Sequence, residues 1–164
     1  MGEDKTPSKA VHAWLWTVYV MIFAMVLIGG ITRLTGSGLS MVEWRPLMGT
    51  LPPSSEKEWQ DVFDKYKKSP QYKKVNHWMK LADFKRIFFW EYLHRLFGRL
   101  IGVVFILPWL VLLIRRKLPG SLKWKTALAF VLGGLQGLLG WFMVKSGLVN
   151  MPAVSHYRLA APLL

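Results

Sequence analysis

Phe89-Trp90-Glu91-Tyr92-Leu93-His94-Arg95-Leu96-Phe97-Gly98-Arg99 runs without a helix breaker into the apolar residues 100–114. A carboxylate, an imidazole and two guanidiniums therefore open a membrane helix. Glu91 and His94 are spaced i,i+3 and Glu91 and Arg95 i,i+4, so the three crowd one side of the helix, with Arg99 one further turn along. Ionisable residues at such a depth are costly, and they mark either a site or an anchor.

As an anchor, the helix overshoots the bilayer and keeps Glu91 and Arg95 in the headgroup region as an ion pair, with His94 carried along. As a site, His94 lies seven residues after Ile87. That is about 10 Å of helix rise, enough to take the imidazole below an interface that begins at Ile87. Neutral imidazole among aromatics is a good axial ligand for haem iron, and arginines one turn away suit haem propionates.

The composition is that of a membrane protein. Apolar residues make up 52% of the 164 and aromatics 14%, and residues 13–31 and 126–144 are uncharged runs of 19, which a soluble core does not require. The 22 Lys plus Arg outweigh the 9 Asp plus Glu. These cations gather beside apolar segments and form neither a basic face nor a known nucleic-acid motif, so nucleic acid is excluded as a partner and the lipid bilayer is the expected one. With no cysteine in the chain, disulfides, thiolate metal sites and iron–sulfur clusters are excluded too.

In chain order, residues 1–12 are polar and precede a first span at 13–31. That span is too long for the apolar core of a signal peptide, no small-residue cleavage pattern follows it, and the start is not Arg-rich enough for a transit peptide. Gly29-Gly30 and Thr32-Arg33-Leu34-Thr35-Gly36-Ser37-Gly38 are expected to end the helix in a turn at the membrane surface. Arg33 there is either a snorkelling anchor or a grip on an anionic ligand. Residues 32–86 form a loop with short amphipathic helices. Ser55-Glu56-Lys57-Glu58 reads as a capping box, followed by an apolar stripe of Trp59, Val62, Phe63 and Tyr66. Pro70 is expected to open a second short helix with Val75, Trp78 and Met79 on one side. The two pieces should lie over the membrane surface as a lid, with His77 a surface residue.

Asp83 is placed to cap the second span, residues 87–114, in which Gly98 and Gly102 give a small-xxx-small spacing and Pro108 a site for a kink. Residues 115–125 hold five cations in eleven positions, whereas the eleven cations of 33–86 are spread over a mixed-charge stretch. The positive-inside tendency then makes 115–125 and the N-terminal 1–12 cytoplasmic, and the loops 32–86 and 145–156 external, with the Glu91 cluster near the outer face. The third span, 126–144, carries Gly133, Gln136, Gly137 and Gly140 on one side, a smooth seam for another helix or a flat ligand. Ser155 is placed to cap a fourth helix at 157–164. Its eight residues cannot cross a hydrocarbon core that needs about twenty, so the expectation is a truncated chain or one whose last piece needs a partner.

Gly30-Ile31-Thr32-Arg33-Leu34-Thr35-Gly36-Ser37-Gly38-Leu39-Ser40, the Trp44-Arg45-Pro46 to Pro52-Pro53 stretch, Glu91-Tyr92-Leu93-His94-Arg95 and Tyr157-Arg158-Leu159-Ala160-Ala161 together resemble the haem A synthase family. The likeness is closest to the cysteine-free subgroup of mitochondria and many proteobacteria. It implies an all-α integral membrane fold of eight helices in two pseudo-symmetric four-helix bundles, with this chain as the N-terminal half: three complete spans and the start of a fourth. It also implies an inner membrane, bacterial or mitochondrial, and an oxidoreductase that converts the C8 methyl of haem O, its substrate, into the formyl group of haem A for cytochrome oxidase assembly. Glu91 and His94 match the family's conserved glutamate and first histidine at the substrate site, and a haem b cofactor is expected in the other half. Association with haem O synthase, with cytochrome oxidase assembly factors and with a second copy of the chain is left open. The sequence departs from the family at Pro162, where the family has a histidine. His156 is no simple replacement, six residues earlier being about 9 Å of rise and roughly 240° of rotation.

The residues expected to act are Glu91 and His94 in catalysis, His94 as the iron ligand, and Arg33, Arg95, Arg99 and Arg158 near the propionates. A b-type haem-binding electron-transfer subunit would use the same bundle chemistry. A cofactor-free structural subunit with an interfacial ion pair is the third reading.

Overall fold

The computed structural model describes residues 6–42 and 51–147, with side chains through 145. Four α-helices and one short π-helical turn follow one another: α1 Lys9–Leu34, α2 Glu56–Lys67, the turn Tyr72–Asn76, α3 Leu81–Ile114 and α4 Gly120–Gly147. Among the described residues there is no strand. Three helices, α1, α3 and α4, are long and apolar enough to cross a membrane, and they make the chain an integral membrane protein. Arg45, Ser155, His156, Arg158 and Pro162 lie outside the described residues, as does the expected fourth helix.

α1 and α3 pack antiparallel, and the contact is specified along its whole length. At one end Val11, Trp14 and Val18 meet Leu112 and Leu118, with Trp109 against them. Further along, Gly98 faces the methyl of Met25, and Gly29 faces the ring of His94. At the other end the Thr32 hydroxyl, bonded to the Ile28 carbonyl, also reaches the Trp90 carbonyl at 3.3 Å. Gly98 of the small-residue pair thus admits a neighbour. Gly102 does not, since a Cβ placed there would meet nothing within 4 Å.

α1 runs through Gly29 and Gly30 to Leu34 and ends within the expected Thr32 to Gly38 stretch. Termination comes at Gly36, whose φ of +65° is open to glycine. The Gly36 N–H donates to the Arg33 carbonyl and the Ser37 N–H to the Thr32 carbonyl, the paired bonds of a Schellman motif. α3 closes in the same way, with Arg116 at φ +50° in the left-handed position.

α2 forms where the capping signal and the apolar stripe place it. The Ser55 side chain accepts from the Glu58 N–H, and the Glu58 carboxylate reaches back to Ser54 rather than to Ser55. Those Ser54 contacts hold the Glu58 carboxyl below its usual range. Phe63 and Tyr66 are buried against Phe84, Ile87 and Phe88 at the start of α3, with Trp59 and Val62 alongside. Pro70 opens a short helical segment as expected, but it continues as the π-helical turn, which buries Asn76; Tyr72 and the following Met79 pack inward while Val75 and Trp78 stay exposed. His77 is exposed. Asp83 caps α3 from its third position, accepting from the N-cap Lys80 N–H at 3.1 Å as the reciprocal half of a capping box.

α4 packs on α3 through its first half. Thr126 accepts from the Trp109 indole at 2.9 Å, and the Phe130 ring stacks on Trp109 and Phe105. Residues 131–139 of the helix are exposed, and a Cβ placed at Gly133, Gly137 or Gly140 would meet no described residue within 4 Å.

Pro108 sits inside α3 and leaves the carbonyl of Val104 without its helical N–H. The Trp14 indole of α1 donates to that carbonyl at 3.1 Å, so the helix pair repairs the gap that proline opens. Trp14→Phe should destabilise the chain by about 1–3 kcal/mol, the cost of a buried acceptor left unmet. In a Pro108→Ala background, where a backbone N–H returns, the loss should be smaller. Unfolding in mixed micelles of the four proteins of this cycle measures the difference.

Candidate functional site

The Schellman turn of α1 sends residues 37–42 across the flank of α3, at the level where Glu91 points out of the helix. Leu39 and the small side chains of Ser37 and Ser40 are buried there. The Ser40 N–H donates to the Ser37 carbonyl, and the tight turn directs Ser40 and Met41 toward Glu91.

Glu91 is 2% exposed. One of its oxygens accepts from the Ser40 hydroxyl at 2.6 Å and from the Met41 N–H at 2.8 Å. The other accepts from the Arg95 guanidinium one turn along, and the same Arg95 nitrogen donates to the Met41 carbonyl at 3.1 Å. Three donors thus meet the carboxylate, and the ion pair is largely withdrawn from solvent, the Glu91 side chain being 3% and the Arg95 side chain 10% exposed. The ion pair of an interfacial anchor is present, but it is buried under the loop instead of reaching toward headgroups. A buried charge is stable when paired and hydrogen-bonded in this way.

His94 leaves α3 on the side of α1. Its Nε2 lies 3.4 Å from where a Cβ of Gly29 would stand, so the missing side chain of Gly29 is what lets the ring lie against the helix. Arg99, one turn beyond Arg95, holds a buried guanidinium nitrogen with no hydrogen-bond partner among the described residues. A cation in that position suits an anionic group brought by a ligand.

The structure therefore brings Glu91 and Arg95 together and sets His94 and Arg99 on the same stretch of α3. Arg33 is exposed near the end of α1. Ser40, the Met41 amide and Gly29 complete the site, and sequence reasoning does not single them out. Ser40 and Met41 are fifty-one and fifty residues from Glu91, beyond any helical spacing rule. Gly29 sits in a pair whose obvious use is helix termination.

Residues 12–164 match the COX15-CtaA family, described as cytochrome oxidase assembly protein. Among curated proteins, the chain is 54% identical to the Heme A synthase of Nitrosospira multiformis over 95% of its own length and 44% of that relative. It is 56% identical to that of Paramagnetospirillum magneticum over 94% of the chain and 44% of the relative. It is 52% identical to that of Bradyrhizobium diazoefficiens over 100% and 46%. The chain thus spans less than half the length of these relatives. No solved structure matches it.

Arg95→Leu should destabilise the chain by about 3–5 kcal/mol, because Glu91 is left charged and buried without its counter-ion. Adding Glu91→Leu should recover a large part of that loss, since two apolar groups then replace the pair. Denaturant unfolding in micelles of the single and double variants tests the sign of this coupling.

Proposed function

The chain belongs to the COX15-CtaA family of cytochrome oxidase assembly proteins, and on that footing we propose that it forms the substrate-haem half of a haem A synthase. The reaction is oxidation of the C8 methyl of haem O to a formyl group, and haem O is the substrate. The observation that carries the proposal is the arrangement on α3. A histidine pressed against Gly29 of α1 lies one turn from a buried glutamate held by three donors.

In this assignment His94 is the axial ligand to the iron of haem O, and its place in the α1–α3 contact restricts the ring's orientation. Arg99 takes a propionate with its unmatched N–H groups. Arg95 is committed to Glu91 and the Met41 carbonyl and acts by holding the carboxylate. Arg33 and Arg158 remain candidates for the second propionate. Glu91, with the Ser40 hydroxyl on one oxygen, handles the protons released as the methyl is oxidised.

A haem b cofactor, which would supply electron transfer, belongs to the part of the relatives' length that lies beyond this chain. The other described histidines support that division. His12 is exposed at the far end of α1 and His77 is exposed in the loop, so neither faces the α1–α3 contact. The inner membrane, bacterial or mitochondrial, is the expected location. Haem O synthase, cytochrome oxidase assembly factors and a second copy of the chain are candidate associates.

In a full-length protein co-expressed with a haem O source, His94→Ala should lose axial ligation and product. Glu91→Gln should retain bound haem and lose most turnover, and Arg99→Gln should weaken haem retention. Pigment extraction and chromatography read all three. Recovery of haem B alone from the unmutated protein would favour the electron-transfer reading, and equal activity in the His94 and Glu91 variants would remove both residues from the chemistry.

The loop 32–86 is assigned to the outer side by the cation density of 115–125. A reporter at Glu56 should be accessible in intact cells and one at Lys117 should not. Labelling of Lys117 by an impermeant reagent would reverse the orientation.

A further inference from the structure

A chain of buried polar groups outside the site ends on the loop that grips Glu91. The Asn76 amide donates to the Tyr66 hydroxyl at 2.8 Å, that hydroxyl donates to the Gln71 carbonyl oxygen at 3.0 Å, and the Gln71 amide donates to the backbone carbonyl of Gly36 at 2.9 Å. Tyr66 is fully buried, and Gln71 and Asn76 are each 7% exposed. We infer that Tyr66, Gln71 and Asn76 are positioning residues for Glu91, acting through residues 36–41. The inference deepens the proposed function, in which Glu91 handles protons.

The direction of each bond is fixed by chemistry. An amide N–H begins the chain and a main-chain carbonyl ends it, so Tyr66 must both accept and donate. Burial pushes the Tyr66 phenol above its ordinary range, and its proton is retained throughout the neutral range.

Stability alone does not call for this network, since apolar side chains of the same volume would pack against Phe84 without polar groups to satisfy. What it adds is an attachment for one loop carbonyl. Gly36 is the left-handed residue that turns the chain out of α1, and four residues later the same strand of backbone delivers the Ser40 hydroxyl and Met41 N–H to Glu91. Gly36 is held by Gln71 from the α2 side, and Met41 is held by Arg95 from the α3 side. Met41 also packs on the aromatic cluster built from Phe63, Tyr66 and Phe84. The donors to Glu91 are therefore set by a segment pinned at both ends, and one pin is the network.

The test measures the reaction of Glu91 with a hydrophobic carbodiimide, followed by mass spectrometry, on the full-length protein in membranes. Tyr66→Phe keeps the ring stacked on Phe84 at 5.1 Å and removes only the hydroxyl. Gln71→Met keeps the length of the side chain and removes its amide. Each should accelerate labelling of Glu91 about tenfold, as expected when a contact worth one ordinary hydrogen bond no longer holds the loop. Ser40→Ala should do the same, and adding Tyr66→Phe to it should raise labelling by less than the product of the two single effects, because both reach Glu91 through the same loop. Unchanged labelling in Tyr66→Phe and Gln71→Met, or independent multiplication of the Ser40 and Tyr66 effects, overturns the inference. If Tyr66→Phe does not accumulate in membranes, Gln71→Met decides. Faster labelling with undiminished haem O conversion would uphold the positioning and remove the proton-handling role from Glu91, so the two failures are separate.

Discussion

A charged carboxylate buried between apolar helices has to find donors, and most of the architecture at one end of this protein follows from how Glu91 finds them. Its own helix supplies one, Arg95, a turn away. The other two come from a loop that must be guided across the helix flank. That requirement explains the left-handed glycine that ends α1, the small buried serines that follow, and the aromatic platform on which Met41 rests. Without the loop, Glu91 and Arg95 would be a pair of long side chains at an interface. With it they are part of a closed polar site within a membrane helix pair.

The second constraint is proximity between α1 and α3. Close approach is arranged at a few positions where one side chain is missing or a polar group needs a partner from the neighbour. Gly98 receives Met25, Gly29 receives His94, and Trp14 reaches the Val104 carbonyl. The first two fix how near the helices lie, and the third ties them where Pro108 interrupts the ladder. The imidazole is therefore part of the helix contact as well as a candidate ligand. Among the described residues α4 is attached to α3 through Trp109, Thr126 and Phe130, in its first half.

The three spans and the Glu91–Arg95 pair are legible in the sequence because uncharged runs and i,i+4 spacing are local signals. The stripe on α2 is legible for the same reason. The partners of Glu91 are not, since Ser40 and Met41 lie across a loop whose path depends on tertiary packing. Gly29-Gly30 misleads because glycine in a soluble helix usually signals its end, whereas in a membrane pair it makes room for a neighbour. The segment after Pro70 misleads because its apolar residues fit one helical face. The π-helical turn redistributes them, placing Tyr72 and Met79 inside and Trp78 outside.

The bond between Trp14 and Val104 bears on how the chain enters a membrane. A span carrying Pro108 is unfavourable in hydrocarbon by itself, because one of its carbonyls faces lipid without a donor. α1 emerges from the ribosome first and holds the indole that meets this need. The second span therefore reaches its most stable form only beside the first, which makes the two helices a single unit of insertion. An α3 segment presented to the insertion machinery without α1 enters lipid with that acceptor exposed, and order of synthesis becomes part of the fold.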